Sequence, residues 1–348
     1  QLSGYNPITG TALGSHDVHL TLDASLNETA YAALNGHKGV VAVYDYTTGD
    51  IKCLVSSPSY DPNNPPSDVN ENSAYEGVYL TRFFSSTYPP GSVFKIITTA
   101  AAIEEKDNLD QFRYTCTGSL EVGGDVITCP YAHGADMDIN QCLACSCNGA
   151  YATLAMELGG STLAKYVDQA GLLDSLNVNG ISTASGSFVA EEDGSAYLGW
   201  SGVGQDKDLV NPCSLLAFMG SIANEGEAVV PNLVGSETIG GTAIPAALPD
   251  GKDTYETYSA ETCQRLKEMM RNNVVTEYGQ SQFGDLAVCA KSGTAEVGGG
   301  AEPHAWFAGF IDDPDHPLAF VVLVENGSAG ARVAGSVAAQ VLAQATAE

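Results

Sequence analysis

Positive charge is scarce in this sequence. Among its 348 residues, lysine and arginine total 14 whereas aspartate and glutamate total 42, which gives a formal net charge of −28. Surfaces that bind phosphate backbones or anionic lipid headgroups need clustered cations. The charge balance therefore excludes a nucleic-acid-binding protein, and we expect no nucleic-acid partner.

The sequence also lacks a long apolar run. A membrane-spanning helix needs about 18 or more consecutive apolar residues, and no such run is present. No secretory signal segment opens the chain. The first residue is Gln1 rather than Met, so we expect a membrane anchor on the N-terminal side of it. The polar, Gly-rich residues 1–18 are interpreted as a linker left from that side.

A zinc motif is not recognisable among the nine cysteines. Cys142, Cys145 and Cys147 lie close together in sequence. However, no second C-x-x-C pair stands at zinc-ribbon or zinc-finger spacing, and His133 is the only histidine nearby. We therefore expect no metal site.

Two further cysteines flank a turn. Cys116 and Cys129 lie on either side of Gly123-Gly124, a turn signal between two short β-prone segments. They are therefore a candidate disulfide pair across a hairpin. Two free thiols are the alternative, and the sequence does not decide between them.

The pattern of apolar residues predicts strands at both ends of the chain and helices in the middle. With 44% apolar residues, the chain can bury one large core or two lobes. The predicted strands are 39–45, 51–55, 286–295, 305–312 and 318–325, and the predicted helices are 92–103, 148–158, 261–273 and 331–345.

These elements predict an α+β fold with a central antiparallel sheet flanked by helices and an inserted, mostly helical lobe. A single domain is expected over 19–348. Its α/β lobe comprises 19–60 and 280–348, and its helical lobe comprises 61–279. The cleft between the two lobes is the expected place for a site.

The segment Ser92-Val93-Phe94-Lys95 is the first candidate for chemistry. Ser92 and Lys95 are three residues apart at the start of a predicted helix, so their side chains lie on one face. The apolar run after Lys95 desolvates its amine, which favours the neutral form that accepts a proton. Backbone N–H groups at the helix start stabilise a carbonyl oxyanion. A helix cap and a solvent-directed lysine are the alternative.

The segment Ser146-Cys147-Asn148 is the second candidate, and it lies between two predicted helices. A serine and an asparagine two residues apart in a turn point into one cleft. There the hydroxyl relays protons and the amide holds a peptide. Taken alone, the segment is better explained as an ordinary helix cap.

The segment Lys291-Ser292-Gly293-Thr294 lies within a predicted strand and is the third candidate. Gly293 lacks a side chain at a place where a substrate backbone approaches. Lys291, Ser292 and Thr294 are then able to bind a carboxylate. The alternative is a β-bulge with exposed neighbours.

Together the three segments form a recognisable set. S-x-x-K, S-x-N and K-S-G-T, on a helix, a loop and a strand in that order, resemble the signature of penicillin-binding proteins and serine β-lactamases. The flanking residues are similar to class B penicillin-binding proteins. These flanks are Tyr88-Pro89-Pro90-Gly91, Thr294-Ala295-Glu296 and Trp306-Phe307-Ala308-Gly309-Phe310. The resemblance extends from about residue 19 to the end of the chain.

The resemblance implies a D,D-transpeptidase that cross-links peptidoglycan stem peptides through an acyl-enzyme and is inhibited covalently by β-lactams. No cofactor is implied. The implied roles are Ser92 as nucleophile, Lys95 as base, Ser146 and Lys291 as proton relay, Asn148 as holder of the donor amide, and Ser292, Gly293 and Thr294 as substrate-binding residues. The implied setting is the extracytoplasmic face of a bacterial membrane, beside a membrane glycosyltransferase partner.

Other functions share the same nucleophile segment. A β-lactamase or a D,D-carboxypeptidase uses water as the acceptor in place of an amine. A β-lactam or muropeptide sensor acylates and signals without cross-linking. The turnover of a penicillin adduct separates the hydrolases from the transpeptidase, and the domains of the full-length gene separate the sensor.

Overall fold

The computed structural model describes residues 5–6, 11–12, 16–239, 242–245 and 253–347, with side chains over 17–236 and 253–347. Within them the α-helices are α1 (Ala24–Ala33), α2 (Arg82–Ser85), α3 (Lys95–Glu105), α4 (Ile139–Ala144), α5 (Asn148–Leu158), α6 (Gly160–Gln169), α7 (Ala196–Ser201), α8 (Pro212–Ala223), α9 (Ala260–Asn273) and α10 (Gly330–Ala345). The strands are β1 (Tyr5–Asn6), β2 (Thr11–Ala12), β3 (His16–Leu20), β4 (Gly39–Asp45), β5 (Ile51–Ser57), β6 (Tyr114–Cys116), β7 (Ser119–Val122), β8 (Asp125–Thr128), β9 (Gly134–Met137), β10 (Asn177–Val178), β11 (Ile181–Ser182), β12 (Glu227–Val229), β13 (Val234–Ile239), β14 (Thr242–Pro245), β15 (Thr254–Glu256), β16 (Val288–Ala295), β17 (His304–Ile311) and β18 (Leu318–Val324).

A five-stranded antiparallel sheet is the centre of the molecule, with strand order β16-β17-β18-β4-β5. Its strands come from both ends of the chain. Val322 of β18 lies opposite Val41 of β4 on one side and opposite Phe307 of β17 on the other. The predicted α+β fold, with the two terminal strand sets joined in one sheet, is confirmed.

Helices cover both faces of this sheet. Side chains alternate between the faces along each strand. Val43 and Phe307 face the layer formed by α1 and α10. Tyr44 and Trp306 face α8 and the core of the helix-rich lobe on that side, called the second lobe from here on. Because both faces are buried, β4 and β18 read as nearly continuous apolar runs.

Two buried helices form the middle of the second lobe. All twelve residues of α8 are buried, and its start is capped by the side chain of Asn211. Helix α3 buries its first eight residues, from Lys95 to Ala102. The helix predicted over 92–103 is therefore confirmed from Lys95 onward, and it places the Lys95 side chain in the core.

The observed helices differ in detail from the predicted ranges. Gly91–Phe94 forms a 3₁₀ turn before α3 begins at Lys95, so the α-helix starts later than the predicted residue 92. Gly159, with φ of 85°, ends α5, and Gly160 starts α6, a helix that was not predicted. Helix α9, predicted over 261–273, is amphipathic and buries one face against α8 and β16.

The second lobe also contains several short strands. The hairpin of β7 and β8 and the pair of β6 and β9 lie between α3 and α4. Strand β3 pairs with β13, so residues 16–18, expected as linker, belong to a strand. Of residues 1–15, only 5–6 and 11–12 belong to the described residues. Within the described ranges, no helix is both long and apolar enough to cross a membrane.

Candidate active site

The three motif segments meet at one cleft. Ser92 lies in the 3₁₀ turn before α3, Ser146 lies in the loop between α4 and α5, and Thr294 lies on the edge strand β16. A cavity of about 420 Å³ opens between them. The motif residues that line it are Ser92, Ser146, Asn148, Ser292 and Thr294.

Lys95 is the centre of the hydrogen-bond network. Its Nζ lies 3.0 Å from Ser92 Oγ and 2.8 Å from Asn148 Oδ1. The same nitrogen lies 2.7 Å from the Ser146 carbonyl oxygen and 3.0 Å from Ser146 Oγ. The side chain is fully buried, so two of the three segments meet around one desolvated amine.

The surroundings of Lys95 favour a neutral amine. Burial holds the pKa of Lys95 well below its usual range, and the positive charge of Lys291 lowers it further. A neutral amine has two hydrogens, which the carbonyl oxygens of Ser146 and Asn148 accept. If the amine is neutral, its lone pair is left for the Ser92 hydroxyl, 3.0 Å away, and this geometry allows a proton to pass from Ser92 to Lys95.

A second lysine joins the network through Ser146. Lys291 Nζ lies 3.0 Å from Ser146 Oγ and donates to the Ser292 carbonyl oxygen at 3.0 Å. Burial lowers the pKa of Lys291 to about 7. The Ser146 hydroxyl therefore bridges two buried amines, which gives a continuous path for a proton from Ser92 through Lys95 to Lys291.

Ser146 has an unusual backbone conformation. Its φ is 59°, in the left-handed region that non-glycine residues seldom adopt. The Lys95 amine holds its carbonyl oxygen, and the N–H of Cys147 donates to the Cys142 carbonyl oxygen at 3.0 Å. This conformation turns the Ser146 hydroxyl toward the two lysines, and strain of this kind is common where a side chain must be aimed.

The β16 segment borders the cleft, but its residues differ in role. Thr294 is exposed to the cleft, and Ser292 donates to the Tyr278 hydroxyl from its N–H at 3.1 Å and its Oγ at 3.2 Å. A Cβ on Gly293 would lie 2.8 Å from the Pro90 carbonyl oxygen. The space at Gly293 is thus filled by the nucleophile segment itself, whereas we expected it to admit a substrate backbone.

Asn148 is oriented at both ends of its amide. Its Oδ1 accepts from Lys95, and its Nδ2 donates to the Thr128 carbonyl oxygen at 2.8 Å. The side chain therefore joins the base to strand β8. One amide hydrogen remains for a ligand in the cleft.

Sequence reasoning missed Tyr278. This residue ends a π-helical turn, Val274–Tyr278, and its buried hydroxyl accepts from Lys291 at 3.2 Å. Burial raises the pKa of Tyr278 to about 12, so the hydroxyl stays protonated. No sequence motif indicates Tyr278, although π-helical turns are frequent at functional sites. Trp200 and Gln205 also line the cleft and were not predicted.

The cysteines are arranged differently from expectation. Cys116 and Cys129 are close together beyond the β7–β8 hairpin, but both are free thiols. Their neighbours are His133 and Cys147. The candidate disulfide between Cys116 and Cys129 is therefore not formed.

A serine beside a buried lysine, joined by hydrogen bonds to a second serine and a second lysine, is the arrangement of an active-serine acyl-transfer site. Residues 39–345 match the family described as penicillin binding protein transpeptidase domain. The chain belongs to this family, and the predicted resemblance is confirmed.

Curated relatives and solved structures agree with this assignment. The peptidoglycan D,D-transpeptidase PbpA of Mycolicibacterium smegmatis is 30% identical, over 97% of this chain and 73% of that protein. PbpA of Mycobacterium tuberculosis is also 30% identical, over 84% of this chain and 62% of its own length. A solved structure of penicillin-binding protein A from M. tuberculosis, a ceftriaxone acyl-enzyme complex, is similar with a TM-score of 0.88 and 26% identity. It covers 98% of this chain and 82% of that one.

Proposed function

We propose that this chain is a D,D-transpeptidase that cross-links peptidoglycan stem peptides through an acyl-enzyme on Ser92. The observation that carries the proposal is the position of the buried Lys95 amine, 3.0 Å from both Ser92 Oγ and Ser146 Oγ. The name of the mycobacterial relatives, peptidoglycan D,D-transpeptidase PbpA, supports it. Both hydrolysis and transfer start from the same first step.

In the first step, Ser92 Oγ attacks the carbonyl carbon between the two terminal D-Ala residues of a donor stem peptide. Lys95 takes the hydroxyl proton as the C–O bond forms. Backbone N–H groups of Ser92 and Thr294 are proposed to hold the oxyanion. The C–N bond then breaks, the leaving D-Ala amine takes a proton through Ser146, and the acyl group remains as an ester on Ser92.

In the second step, the neutral amine of a neighbouring stem peptide attacks the ester carbonyl. The new C–N bond is an amide cross-link, and the Ser92 oxygen leaves. The proton lost by the amine returns to Ser92 through Lys95 and Ser146. Burial lowers the pKa of both Lys95 and Lys291, the latter to about 7, so the neutral form of each amine is more favoured than in an exposed lysine.

The cleft offers groups that suit a peptide ending in D-Ala-D-Ala. We assign the free amide hydrogen of Asn148 to the donor backbone, and the hydroxyls of Ser292 and Thr294, with the nearby charge of Lys291, to the terminal carboxylate. Gly293 instead provides close packing against Pro90. A β-lactam presents the same amide and carboxylate, so it acylates Ser92 as a substrate mimic.

Intact-protein mass spectrometry with benzylpenicillin tests the nucleophile. We expect one adduct per chain, mapped to the peptide that contains Ser92, and no adduct on Ser92→Ala with an unchanged melting temperature. Ser85→Ala, at an exposed serine in the same segment, is the matched control and should be acylated normally. An adduct that survives in Ser92→Ala would place the nucleophile elsewhere.

A second measurement separates transfer from hydrolysis. A pentapeptide donor with a stem-peptide amine acceptor should yield a cross-linked dimer and free D-Ala in equal amounts. Release of D-Ala without dimer, or rapid loss of the penicillin adduct, would favour a carboxypeptidase or a β-lactamase instead.

The proposed substrate also sets the proposed location and partner. Peptidoglycan is assembled outside the cytoplasmic membrane, so the domain is proposed to work at that extracytoplasmic face. Cross-linking consumes glycan strands, so a glycosyl-transfer reaction in the membrane must supply them. Co-purification of the full-length protein with such a glycosyltransferase from detergent-solubilised membranes tests the partnership, and its absence after mild cross-linking would count against it.

A further inference from the structure

Three thiols and one imidazole converge beside the cleft. The ligand atoms of Cys116, Cys129, His133 and Cys147 all lie within 4.8 Å of one another. Cys129 Sγ is 3.9 Å from Cys147 Sγ, and Cys116 Sγ is 3.3 Å from His133 Nδ1. The four residues are buried or half-buried, so the cluster is a defined internal site rather than a surface accumulation.

We propose that these four side chains bind one Zn²⁺ ion in a tetrahedral Cys₃His site. With Zn–S bonds of about 2.3 Å and a Zn–N bond of about 2.0 Å, a tetrahedron places sulfurs about 3.8 Å apart and sulfur and nitrogen about 3.5 Å apart. The Cys129–Cys147 sulfur separation of 3.9 Å and the Cys116–His133 sulfur–nitrogen separation of 3.3 Å are close to these edges. Thiolate and imidazole donors in four-fold coordination select zinc over magnesium, calcium or manganese.

A disulfide explains the cluster less well. A disulfide needs a sulfur separation of about 2.0 Å, whereas Cys129 and Cys147 are 3.9 Å apart. A disulfide would also use only two of the three thiols, and it would not explain why the third thiol and the imidazole lie beside them. A bound metal explains why all four donor atoms converge.

The ligands come from separate parts of the second lobe. Cys116 ends β6, Cys129 directly follows β8, and His133 directly precedes β9. Cys147 lies in the catalytic loop between Ser146 and Asn148. A bound ion would therefore tie the small strands of the lobe to the catalytic loop, and its four protein ligands leave no open position for a water or a substrate.

The site is positioned to stabilise the catalytic loop. Cys147 directly follows Ser146, whose φ is 59°. Asn148 follows Cys147 and Thr128 precedes Cys129, and these two neighbours are joined because Asn148 Nδ2 donates to the Thr128 carbonyl oxygen at 2.8 Å. A metal bond between Cys129 and Cys147 reinforces the same junction. Zinc would thus keep Ser146 and Asn148 at hydrogen-bond distance from Lys95.

An entry path for the ion exists. Cys129 and His133 are half-buried and line the 420 Å³ cleft, whereas Cys116 and Cys147 lie behind them. An ion arriving through the cleft meets the two half-buried donors first. The same opening gives chelators access, so loss of the metal can be measured on the folded protein.

Metal analysis of the purified chain tests the proposal. We expect about one zinc per chain by elemental mass spectrometry after expression with zinc and a reductant. Replacement by Co²⁺ should give the visible absorption of tetrahedral, thiolate-bound cobalt. Cys116→Ser and His133→Ala should each lose most of the bound metal. Cys213→Ser and Cys289→Ser, at buried thiols outside the cluster, are matched controls and should keep it.

The consequence for the site is measured separately. Chelation should slow acylation of Ser92 by penicillin on the order of tenfold, and added zinc should restore the rate. Ser92→Ala should bind zinc normally, so the test of metal binding does not depend on the proposed reaction. Native protein with fewer than about 0.1 zinc per chain under these conditions would overturn the proposal.

Discussion

Trp306 donates its indole Nε1–H to the carbonyl oxygen of Pro89 at 2.9 Å. Its ring is fully buried and contacts the Tyr88 ring edge-on, with ring centroids 6.1 Å apart. The Tyr88 hydroxyl in turn donates to Glu325 at 2.8 Å. The segment that leads to Ser92 is therefore attached to β17 and to the end of β18, which are parts of the rigid central sheet.

Trp306→Phe should loosen this attachment. It keeps a buried ring but removes the donor, which leaves the Pro89 carbonyl oxygen without its partner and costs about 1–3 kcal/mol of unfolding free energy. We expect penicillin acylation to slow several-fold, measured by stopped-flow fluorescence or quenched mass spectrometry. Tyr46→Phe removes a sheet hydroxyl that donates to Ile311 far from the nucleophile, and it should not change the rate. Equal rates for both variants would refute the positioning role of Trp306.

Gly91 allows the nucleophile turn to approach β16. Its φ is 53°, and a Cβ there would lie 2.7 Å from the Thr294 carbonyl oxygen. Gly91→Ala should therefore displace the 3₁₀ turn and slow acylation by at least an order of magnitude. Gly123→Ala, in the β7–β8 turn, is a matched control because its φ is 60° and a Cβ there meets nothing within 4 Å.

The two variants separate backbone strain from steric conflict. Both pay the left-handed penalty of roughly 1–2 kcal/mol, but only Gly91→Ala adds the clash with Thr294. Thermal unfolding should show Gly91→Ala to be the less stable variant, and only this variant should lose acylation. A similar loss of acylation in Gly123→Ala would mean that the close approach of Gly91 to Thr294 is unimportant.

The elements that the sequence predicted well depend on local patterns. The sheet strands of the chain ends are long apolar runs, and the Ser92 and Lys95 pair depends only on spacing along one turn. Tyr278 could not be predicted, because its approach to Lys291 arises from the packing of a π-helical turn on β16. The side-chain space at Gly293 likewise depends on Pro90, about 200 residues earlier in the chain.

The thiol cluster shows the same limit of sequence reasoning. Its ligands are separated by 12, 3 and 13 intervening residues, which do not form two C-x-x-C pairs. The β7–β8 hairpin and the β6–β9 pair bring them together. The sequence analysis considered Cys142, Cys145 and Cys147 together and Cys116 with Cys129 separately, whereas the tertiary structure joins Cys116 and Cys129 to Cys147.

A largely buried ion pair lies at the end of β18, where Glu325 also accepts from Tyr88. Arg82 Nε lies 2.7 Å from Glu325 Oε1, with side chains 8% and 17% exposed. Arg82→Met leaves the Glu325 carboxylate buried without its cation, and we expect a loss of about 3–5 kcal/mol. The double variant Arg82→Met/Glu325→Gln should recover part of this loss in urea unfolding.

An exposed ion pair provides the comparison. Lys38 lies 3.0 Å from Glu76, whose side chain is 79% exposed, so Lys38→Met should change the unfolding free energy by less than about 1 kcal/mol. If Arg82→Met were as mild as Lys38→Met, burial would not be what makes the pair with Glu325 strong.

The buried amine of Lys291 should make stability depend on pH. Its pKa is lowered to about 7 by burial, whereas an unfolded lysine has a pKa of about 10.4. The ionisable groups around it are Lys95, Cys145, Glu277 and Tyr278. Between these two pKa values the unfolded chain binds a proton that the folded chain lacks, so raising the pH disfavours unfolding.

The difference between the folded and unfolded pKa values of Lys291 also sets the size of the stability change. Stability from this group should rise by about 2 kcal/mol between pH 7 and pH 9, and it should level off below pH 7, where both states are protonated. Lys291→Met removes the effect, so its urea-unfolding free energy should rise less steeply than that of the unmodified chain. Lys165→Met, which removes a lysine 54% exposed, controls for the loss of one charge. Parallel pH profiles for the unmodified chain and Lys291→Met would show that the amine is not held neutral by the fold.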